Sequence, residues 1–429
     1  MLEKVKSLLL ALLIAVSLWQ TYMLAYSKPE LERIDQNAFV DTELEGTKLE
    51  VTDLLFPKEI IIHLGDDRHT VLYPEEEFYK KIYEEKIVQR TFDGFRPLNW
   101  YSRDWDELRK TTRGIEIRFQ DAIPISTLQN ILQLRGDILF TEGSINRIWI
   151  MKENEEEVAA YFFTEQGLTV YEAGRADLQP TDVEQYVGFG EYLSTQNNYT
   201  STDGTYYLPS QQLQTVKVRF DYSLYTPEQW KNSLFVDPSI SRNFAEKDGT
   251  EIYTDGKRGL QVNHLEQWMS YSDPVAPVQE WTDVSSNLFS AVQFVNQHGG
   301  WNGSYMLEKY PDAWDQRFRF IQYYDGYPLI SGTVRPFGSI YVTLQKSVIS
   351  NYERSLIQLG EETMREEAVL PGGEELQAIV SGKEEELGES FMSVFPSYRP
   401  FVTDKYVELV PQWTGLTANG VYYGLAADE

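Results

Sequence analysis

The sequence predicts an α+β protein in which one N-terminal transmembrane helix precedes extracellular domains of mostly antiparallel sheets with short helices. Residues 7–26 contain no charged side chain. Segments of alternating polarity recur around Gly- and Asp-containing turns, and short amphipathic segments interrupt them. Short helices among antiparallel strands are typical of the α+β class. A chain of 429 residues is long enough for two or three domains.

Composition narrows the class of protein. Hydrophobic residues make up 42% and aromatic residues 14%, which supplies folded cores and favours sheets. The formal net charge is −28, so nucleic acid is not an expected partner, because its binding needs basic groups. There is no cysteine, which excludes thiolate metal sites and, for an exported protein, points to a Gram-positive bacterium.

The first element is the apolar segment 7–26. At about 1.5 Å per residue it spans about 30 Å, the thickness of the bilayer hydrocarbon. Lys4 and Lys6 precede it and acidic residues follow it, so residues 1–6 are predicted to be a cytoplasmic tip and the rest extracellular. A cleaved signal peptide is the alternative, but residues 23–25 (MLA) have a large residue where cleavage needs a small one. We therefore predict a single-pass protein of the cell membrane.

One side of this helix is a candidate contact surface. It comprises Ser7, Ala11 and Ala15 in a row, with Ser17, Gln20 and Thr21 on an adjacent face. Small residues at four-residue spacing let helix backbones approach closely, and the polar ones can hydrogen-bond to another helix. The alternative interpretation is that small residues are simply common in single spans.

A first extracellular domain is predicted at 27–200, with a linker at 27–50. Its strands are predicted at 59–64, 69–73, 115–119, 147–151, 158–163 and 168–171, the first two joined by a turn at residues 65–67. Helices are predicted at 75–88 and 124–134. A polar stretch at 196–205 marks the end of this domain.

A middle α+β domain is predicted at 201–298 and a C-terminal one at 299–429. Their strands are predicted at 215–222, 251–253, 260–262, 317–324, 327–331, 340–344, 351–359, 406–413 and 420–425. Their helices are predicted at 226–234, 285–297 and 374–380, the first with Pro227 just inside a Thr226 cap.

The sequence carries no familiar catalytic motif, neither a serine-hydrolase elbow nor a zinc-protease helix nor a phosphate-binding loop. We therefore predict no enzyme and no cofactor. His63 and His69 could face each other across the first hairpin and bind a metal. Two ligands do not make a metal site, so pairing on the surface is the favoured interpretation.

Two aromatic clusters are candidate ectodomain interfaces. They comprise Trp100, Tyr101 and Trp105, and Trp301 with Tyr305. Tryptophan and tyrosine are common anchors of protein interfaces. Core packing is the alternative interpretation of both clusters.

Several short motifs, in their order along the chain, resemble the YycH family. Residues 54–63 (LLFPKEIIIH) look like its opening strand. Residues 230–239 (WKNSLFVDPS) and 253–260 (YTDGKRGL) look like its most specific block. Residues 325–329 (DGYPL) and 408–413 (ELVPQW) are similar to its C-terminal strands, which also resemble the sister protein YycI.

The resemblance implies a membrane-anchored extracellular regulator of a WalK/YycG-type sensor histidine kinase. It implies action with a YycI-like protein, through transmembrane-helix and ectodomain contacts, on cell-wall homeostasis genes. It also implies that the domain at 299–429 is YycI-like. The alternative is an extracellular wall- or ligand-binding sensor module independent of a kinase, which a deep aromatic-lined pocket would favour.

Overall fold

The computed structural model describes residues 6, 12–13, 16–17, 19–20, 44, 46–140, 143–165, 169–247, 249–274, 284–311, 316–345 and 347–425. Residues 1–41 form one unit and residues 42–429 another. In the first unit the described residues are helical. Most of the predicted transmembrane segment 7–26, including Ser7, Ala11, Ala15 and Thr21, lies outside the described residues. Among the residues that are described, no helix has the length and apolar character needed to cross a membrane.

The unit at 42–429 is an α+β fold of mostly antiparallel strands with few helices, as the sequence predicts. Its helices are α1 (Glu77–Ile82), α2 (Trp105–Thr111), α3 (Ile125–Leu128), α4 (Pro180–Gly190), α5 (Pro227–Leu234), α6 (Val284–Gln297) and α7 (Gly373–Leu387). Its strands are β1 (Glu59–Gly65), β2 (Arg68–Leu72), β3 (Thr91–Asn99), β4 (Gly114–Pro124), β5 (Gln133–Leu134), β6 (Ser144–Lys152), β7 (Val158–Thr164), β8 (Thr169–Ala176), β9 (Gln196–Thr200), β10 (Thr205–Pro209), β11 (Leu213–Leu224), β12 (Arg242–Ala245), β13 (Glu251–Thr254), β14 (Gly259–Asn263), β15 (Trp268–Ser272), β16 (Ser304–Lys309), β17 (Arg317–Tyr324), β18 (Tyr327–Pro328), β19 (Ser339–Gln345), β20 (Val348–Ser355), β21 (Ile357–Leu370), β22 (Phe391–Val402), β23 (Val407–Thr417) and β24 (Tyr422–Leu425).

Three sheets organise these strands. A ten-stranded sheet has the order β10-β9-β2-β1-β4-β6-β7-β8-β3-β5. A nine-stranded sheet has the order β12-β13-β14-β15-β20-β19-β17-β16, with β18 on β17, and a five-stranded sheet has the order β21-β11-β23-β22, with β24 on β23. The nine-stranded sheet takes strands from both sides of position 298, since β15 pairs with β20. The three-part division at 27–200, 201–298 and 299–429 stays a prediction.

The first hairpin shows how local sequence sets the fold. β1 is buried along its whole length, which explains its continuous apolar run. Asp66 and Asp67 have φ values of 54° and 55°, the left-handed conformation that a tight hairpin turn needs and that aspartate tolerates. The predicted hairpin is therefore confirmed, with His63 paired to His69 across it.

Two predicted helices are shorter than expected. The helix predicted at 75–88 is reduced to α1 and a 3-10 turn at Ile87–Gln89, because Glu75 has a φ of 74° that no helix accommodates. The helix predicted at 124–134 is reduced to α3, because residues 129–132 form a turn and residues 133–134 form β5 beside β3. The helix predicted at 374–380 is longer, since it continues to the left-handed Gly388.

One hydrophobic cluster joins the early and late parts of the chain. Its buried members include Ile60 and Ile117 of the ten-stranded sheet and Phe320 and Ile340 of the nine-stranded sheet. Leu54, which follows the predicted linker, belongs to the same cluster. The segment that leads into the folded unit is therefore part of its core.

Candidate functional site

The five aromatic residues predicted to form interfaces differ in their exposure to solvent. Trp105, Trp301 and Tyr305 are only 2%, 1% and 3% exposed, so they are core residues, and their interpretation as interface anchors is corrected. Burying large aromatic rings removes more apolar surface from water than a surface position would. Tyr101 is 81% exposed and Trp100 is half-buried beside it. This pair stays a predicted interface.

Trp301 holds the segment through which the chain enters the folded unit. We call the described residues of 44–56 the tether segment. The backbones of Thr47 and Trp301 exchange two hydrogen bonds of 2.9 Å, and the Trp301 indole donates to Asn296 Oδ1 at 2.8 Å. The Asn296 side-chain amide also pairs with the backbone of Leu49, at 3.1 and 2.8 Å. The predicted linker at 27–50 therefore ends earlier than expected, because residues 46–50 are bound to the fold.

Close backbone packing fixes the tether segment further. A Cβ atom on Gly46 would lie 2.0 Å from the carbonyl oxygen of Gly299, so only glycine fits there. Gly299 and Gly300 have φ values of 97° and 63°, which glycine adopts without strain. Gly299 and Gly300 directly follow the end of α6, and the backbone of the tether segment packs against them.

A cavity of about 530 Å³ opens beside the tether segment. Its walls come from five separate stretches. They are Phe56 of the tether segment, Tyr79 of α1, Ile131 after α3, Ser304 of β16 and Tyr323 of β17. The rings of Phe56 and Tyr323 meet edge to face with centroids 5.5 Å apart. The Tyr79 hydroxyl donates to the carbonyl of Pro57 at 2.7 Å, which holds α1 against the tether segment. Aromatic rings therefore form part of the cavity wall.

Charged groups surround the mouth of this cavity. Asp53, Glu75 and Glu84 line it together with Lys80. The Lys80 ammonium lies 3.6 Å from a carboxylate oxygen of Glu75. The lining therefore carries more negative than positive charge.

A second polar constellation lies inside the ten-stranded sheet. His63 and His69 are fully buried, and their Nδ1 atoms are 3.0 Å apart. They face each other as predicted, but in the core rather than on the surface. Burial lowers the pKa of His63 to about 4 and lowers the pKa of His69, so both imidazoles are neutral at neutral pH. His63 Nε2 lies 3.1 Å from a carboxylate oxygen of Glu116, and His69 Nε2 lies 3.3 Å from Asp67 Oδ1.

Glu116 is the charged centre of this constellation. Its carboxylate accepts hydrogen bonds from Arg118 at 2.8 Å, Arg109 at 3.3 Å and Arg147 at 3.5 Å. Burial alone would raise the pKa of Glu116, but the three arginines hold it well below its usual range. Among the described ranges no group of three or more His, Asp or Glu side chains could hold a metal ion. The arrangement is a buried ionic network in which three arginines surround one carboxylate.

Sequence reasoning missed both the cavity and the full network. The walls of the cavity are far apart in the chain, so no local spacing marks them. The members of the buried network, His63, Glu116 and Arg147, are likewise distant in sequence, so no local pattern marks them.

The fold and these sites describe a non-repetitive α+β protein with a core-bound N-terminal segment. Comparison with known families gives its class: the C-terminal domain of YycH protein matches residues 203–421, and the N-terminal domain of YycH protein matches residues 3–185. The chain belongs to the YycH family.

Individual relatives agree with this assignment. The two-component system WalR/WalK regulatory protein YycH of Bacillus subtilis (strain 168) is 22% identical over 456 residues, which cover 99% of this chain and 97% of that protein. The crystal structure of YycH from Bacillus subtilis aligns with a TM-score of 0.71 at 19% identity, covering 90% of this chain and 100% of that one. The structural likeness shows a shared fold.

Proposed function

We propose that this chain is a membrane-anchored extracellular regulator of a WalK/YycG-type sensor histidine kinase. It acts by contact rather than catalysis, together with a YycI-like protein, and so adjusts cell-wall homeostasis genes. The observation that carries the proposal is the similarity along 99% of the chain to a protein named as a WalR/WalK regulatory protein. The YycH family assignment, which extends from residue 3 to residue 421, supports it.

The attachment of the tether segment supplies a physical route for such regulation. This segment is the covalent link between residues 1–41 and the folded remainder. Thr47 and Leu49 hydrogen-bond to Trp301 and Asn296, so a displacement along the chain at residue 42 acts on the core directly. Regulation then requires that the chain bind two kinase states with different affinity.

The proposed contacts follow the sequence predictions. Within the membrane they are the small-residue row at Ser7, Ala11 and Ala15, with Ser17, Gln20 and Thr21 on the adjacent face. Outside the membrane they are Trp100 and the exposed Tyr101.

Co-purification from membranes tests this proposal. The full-length chain is expressed with the WalK-type kinase and the YycI-like protein of its own host, and captured kinase is measured. We expect capture by the wild type and at least a tenfold loss for the triple variant Ser7→Leu, Ala11→Leu, Ala15→Leu, since bulky residues separate the backbones. The variant Leu12→Ile changes a position on neither of the two proposed contact faces and is the control.

Each outcome of this experiment is informative. Equal capture by both variants would discard the helix row and keep the regulator. No capture by the wild type, with the YycI-like protein present, would contradict the proposal.

One observation favours a second candidate. The aromatic-lined cavity of about 530 Å³ fits a ligand-binding sensor module that acts without a kinase. If the wild type captures no kinase yet binds a ligand in this cavity, the second candidate replaces the first.

A further inference from the structure

We propose that the cavity beside the tether segment is a binding site for a small organic cation with an apolar body, and that an occupant fastens the tether segment to the folded unit. The inference goes beyond the proposed function. Binding is measurable on the full-length chain with no kinase present.

The size and walls of the cavity suit a small molecule. Its volume of about 530 Å³ lies within the range of about 300–1,000 Å³ that is typical of ligand pockets. Four aromatic rings line it, those of Phe56, Tyr79, Tyr83 and Tyr323. Aromatic faces attract both apolar bodies and organic cations.

The charges of the cavity select a cation. Glu75 neutralises Lys80 across 3.6 Å, which leaves Asp53 and Glu84 as the remaining charged groups of the lining. Asp53 accepts a hydrogen bond from the backbone N–H of Glu50 at 2.8 Å, so its carboxylate is fixed in place. Both carboxylates are exposed and have no ion-pair partner among the described residues, so they repel an anionic ligand and attract an ammonium group.

Two further observations indicate that this region is built to hold something. Glu75 has a φ of 74°, a conformation that costs free energy for a residue with a side chain. The preceding residue, Pro74, packs closely against the turn at Gly326, where a Cβ atom would lie 2.0 Å from the Pro74 carbonyl oxygen. The hydroxyl of Tyr83, a buried lining residue, has no hydrogen-bond partner among the described residues, so it is available to a bound molecule.

An occupant would connect the tether segment to the rest of the fold. Thr52, Asp53 and Phe56 belong to the tether segment, whereas Tyr79 and Tyr323 belong to α1 and β17. A ligand that contacts the tether segment together with α1 and β17 binds only the state in which the tether segment is attached to the fold. It therefore shifts the equilibrium toward the attached state.

Three indole compounds that differ in charge test the binding site. Tryptamine is cationic, tryptophol is neutral and indole-3-propionate is anionic, and each is titrated calorimetrically into the full-length chain in detergent. We expect tryptamine to bind about fivefold more tightly than tryptophol, which corresponds to one ion pair of about 1 kcal/mol, and indole-3-propionate to bind most weakly. Equal affinities for all three, or no tryptamine binding at millimolar concentration, would overturn the proposal.

Variants locate the site. Asp53→Asn with Glu84→Gln should bring tryptamine to the affinity of tryptophol and leave tryptophol unchanged. Glu374→Gln with Glu375→Gln, on exposed positions of α7, should change neither affinity. Ser304→Trp, at the exposed start of β16, should abolish the binding of both compounds while the circular dichroism spectrum stays unchanged. Binding that survives Ser304→Trp would place the ligand elsewhere and overturn the assignment.

Hydrogen exchange tests the fastening. Tryptamine should slow amide exchange at residues 46–56 and leave α7 unaffected. Binding without this protection would refute the fastening. A chain that captures the kinase but binds no tryptamine refutes this inference alone, and the reverse result refutes the regulator proposal alone.

Discussion

Glu116 illustrates at the scale of single residues how this fold tolerates a fully buried charge. Its carboxylate is bound by Arg118 at 2.8 Å, by Arg109 at 3.3 Å and by His63 at 3.1 Å. An isolated carboxylate in such a place would be too costly to keep ionised. The hydrogen-bonding partners offset the free-energy cost of burying the carboxylate. The buried arginines in turn need the carboxylate as a counter-charge.

Removal of this carboxylate should therefore be severe. Glu116→Ala leaves the buried Arg109 and Arg118 without their shared partner, so the free energy of unfolding should fall by about 3–5 kcal/mol. Urea denaturation measures the change, and Glu85→Ala, at an exposed position, is the control. Equal stability of the two variants would show that the network contributes nothing.

Glu76 provides a dependence on pH. Burial, with a smaller contribution from Asp325, raises its pKa from 4.5 to about 7. The folded state therefore binds the proton more tightly than the unfolded state does, and stability falls as the pH rises from about 4.5 to about 7. Below this window the carboxyl is protonated in both states and contributes nothing.

The variant Glu76→Gln should remove this penalty. Its melting temperature should exceed that of the wild type at pH 8 and equal it at pH 4. The difference at pH 8 corresponds to at most about 3 kcal/mol. Glu85→Gln should show no such trend, and an advantage of Glu76→Gln that is independent of pH would contradict the assignment.

At the scale of elements, the tether segment depends on one glycine. Gly46→Ala places a methyl group 2.0 Å from the carbonyl oxygen of Gly299, so the backbone must move apart. We expect a loss of about 1–3 kcal/mol and faster amide exchange at Thr47 and Leu49. Gly188→Ala in α4 is the control, since its Cβ meets nothing within 4 Å and alanine favours a helix by about 1 kcal/mol. Unchanged exchange in Gly46→Ala would show that the tether segment is loosely held.

Elements with complete local signals were predictable from sequence. α5 begins with Thr226 and Gln229 in a capping box and Pro227 in its first turn, all chemistry of the chain itself. α4 was missed although Gln179 and Asp182 form a similar box before the helix, a signal that could have revealed it. The helix predicted at 124–134 failed because pairing between β5 and β3 outweighs helix propensity.

At the scale of the whole molecule, long-range pairing limits what sequence can reveal. β11 pairs along its length with β21, more than a hundred residues later. No local sequence pattern indicates which strand β11 will pair with. The burial of Trp301 and exposure of Tyr101 likewise depend on which elements cover them. The cavity is assembled from five distant stretches and could not be foreseen from the sequence. The family motifs succeeded because their order along the chain carries information that single residues lack.

The central claim is that the whole chain sets the activity of a sensor kinase. Its most direct test is kinase autophosphorylation in vesicles that contain the host's WalK-type kinase and YycI-like protein, with and without the full-length chain. The account predicts that adding the chain changes the rate, and that a chain with a replaced transmembrane segment has less effect. An unchanged rate at saturating amounts of the chain would contradict the account.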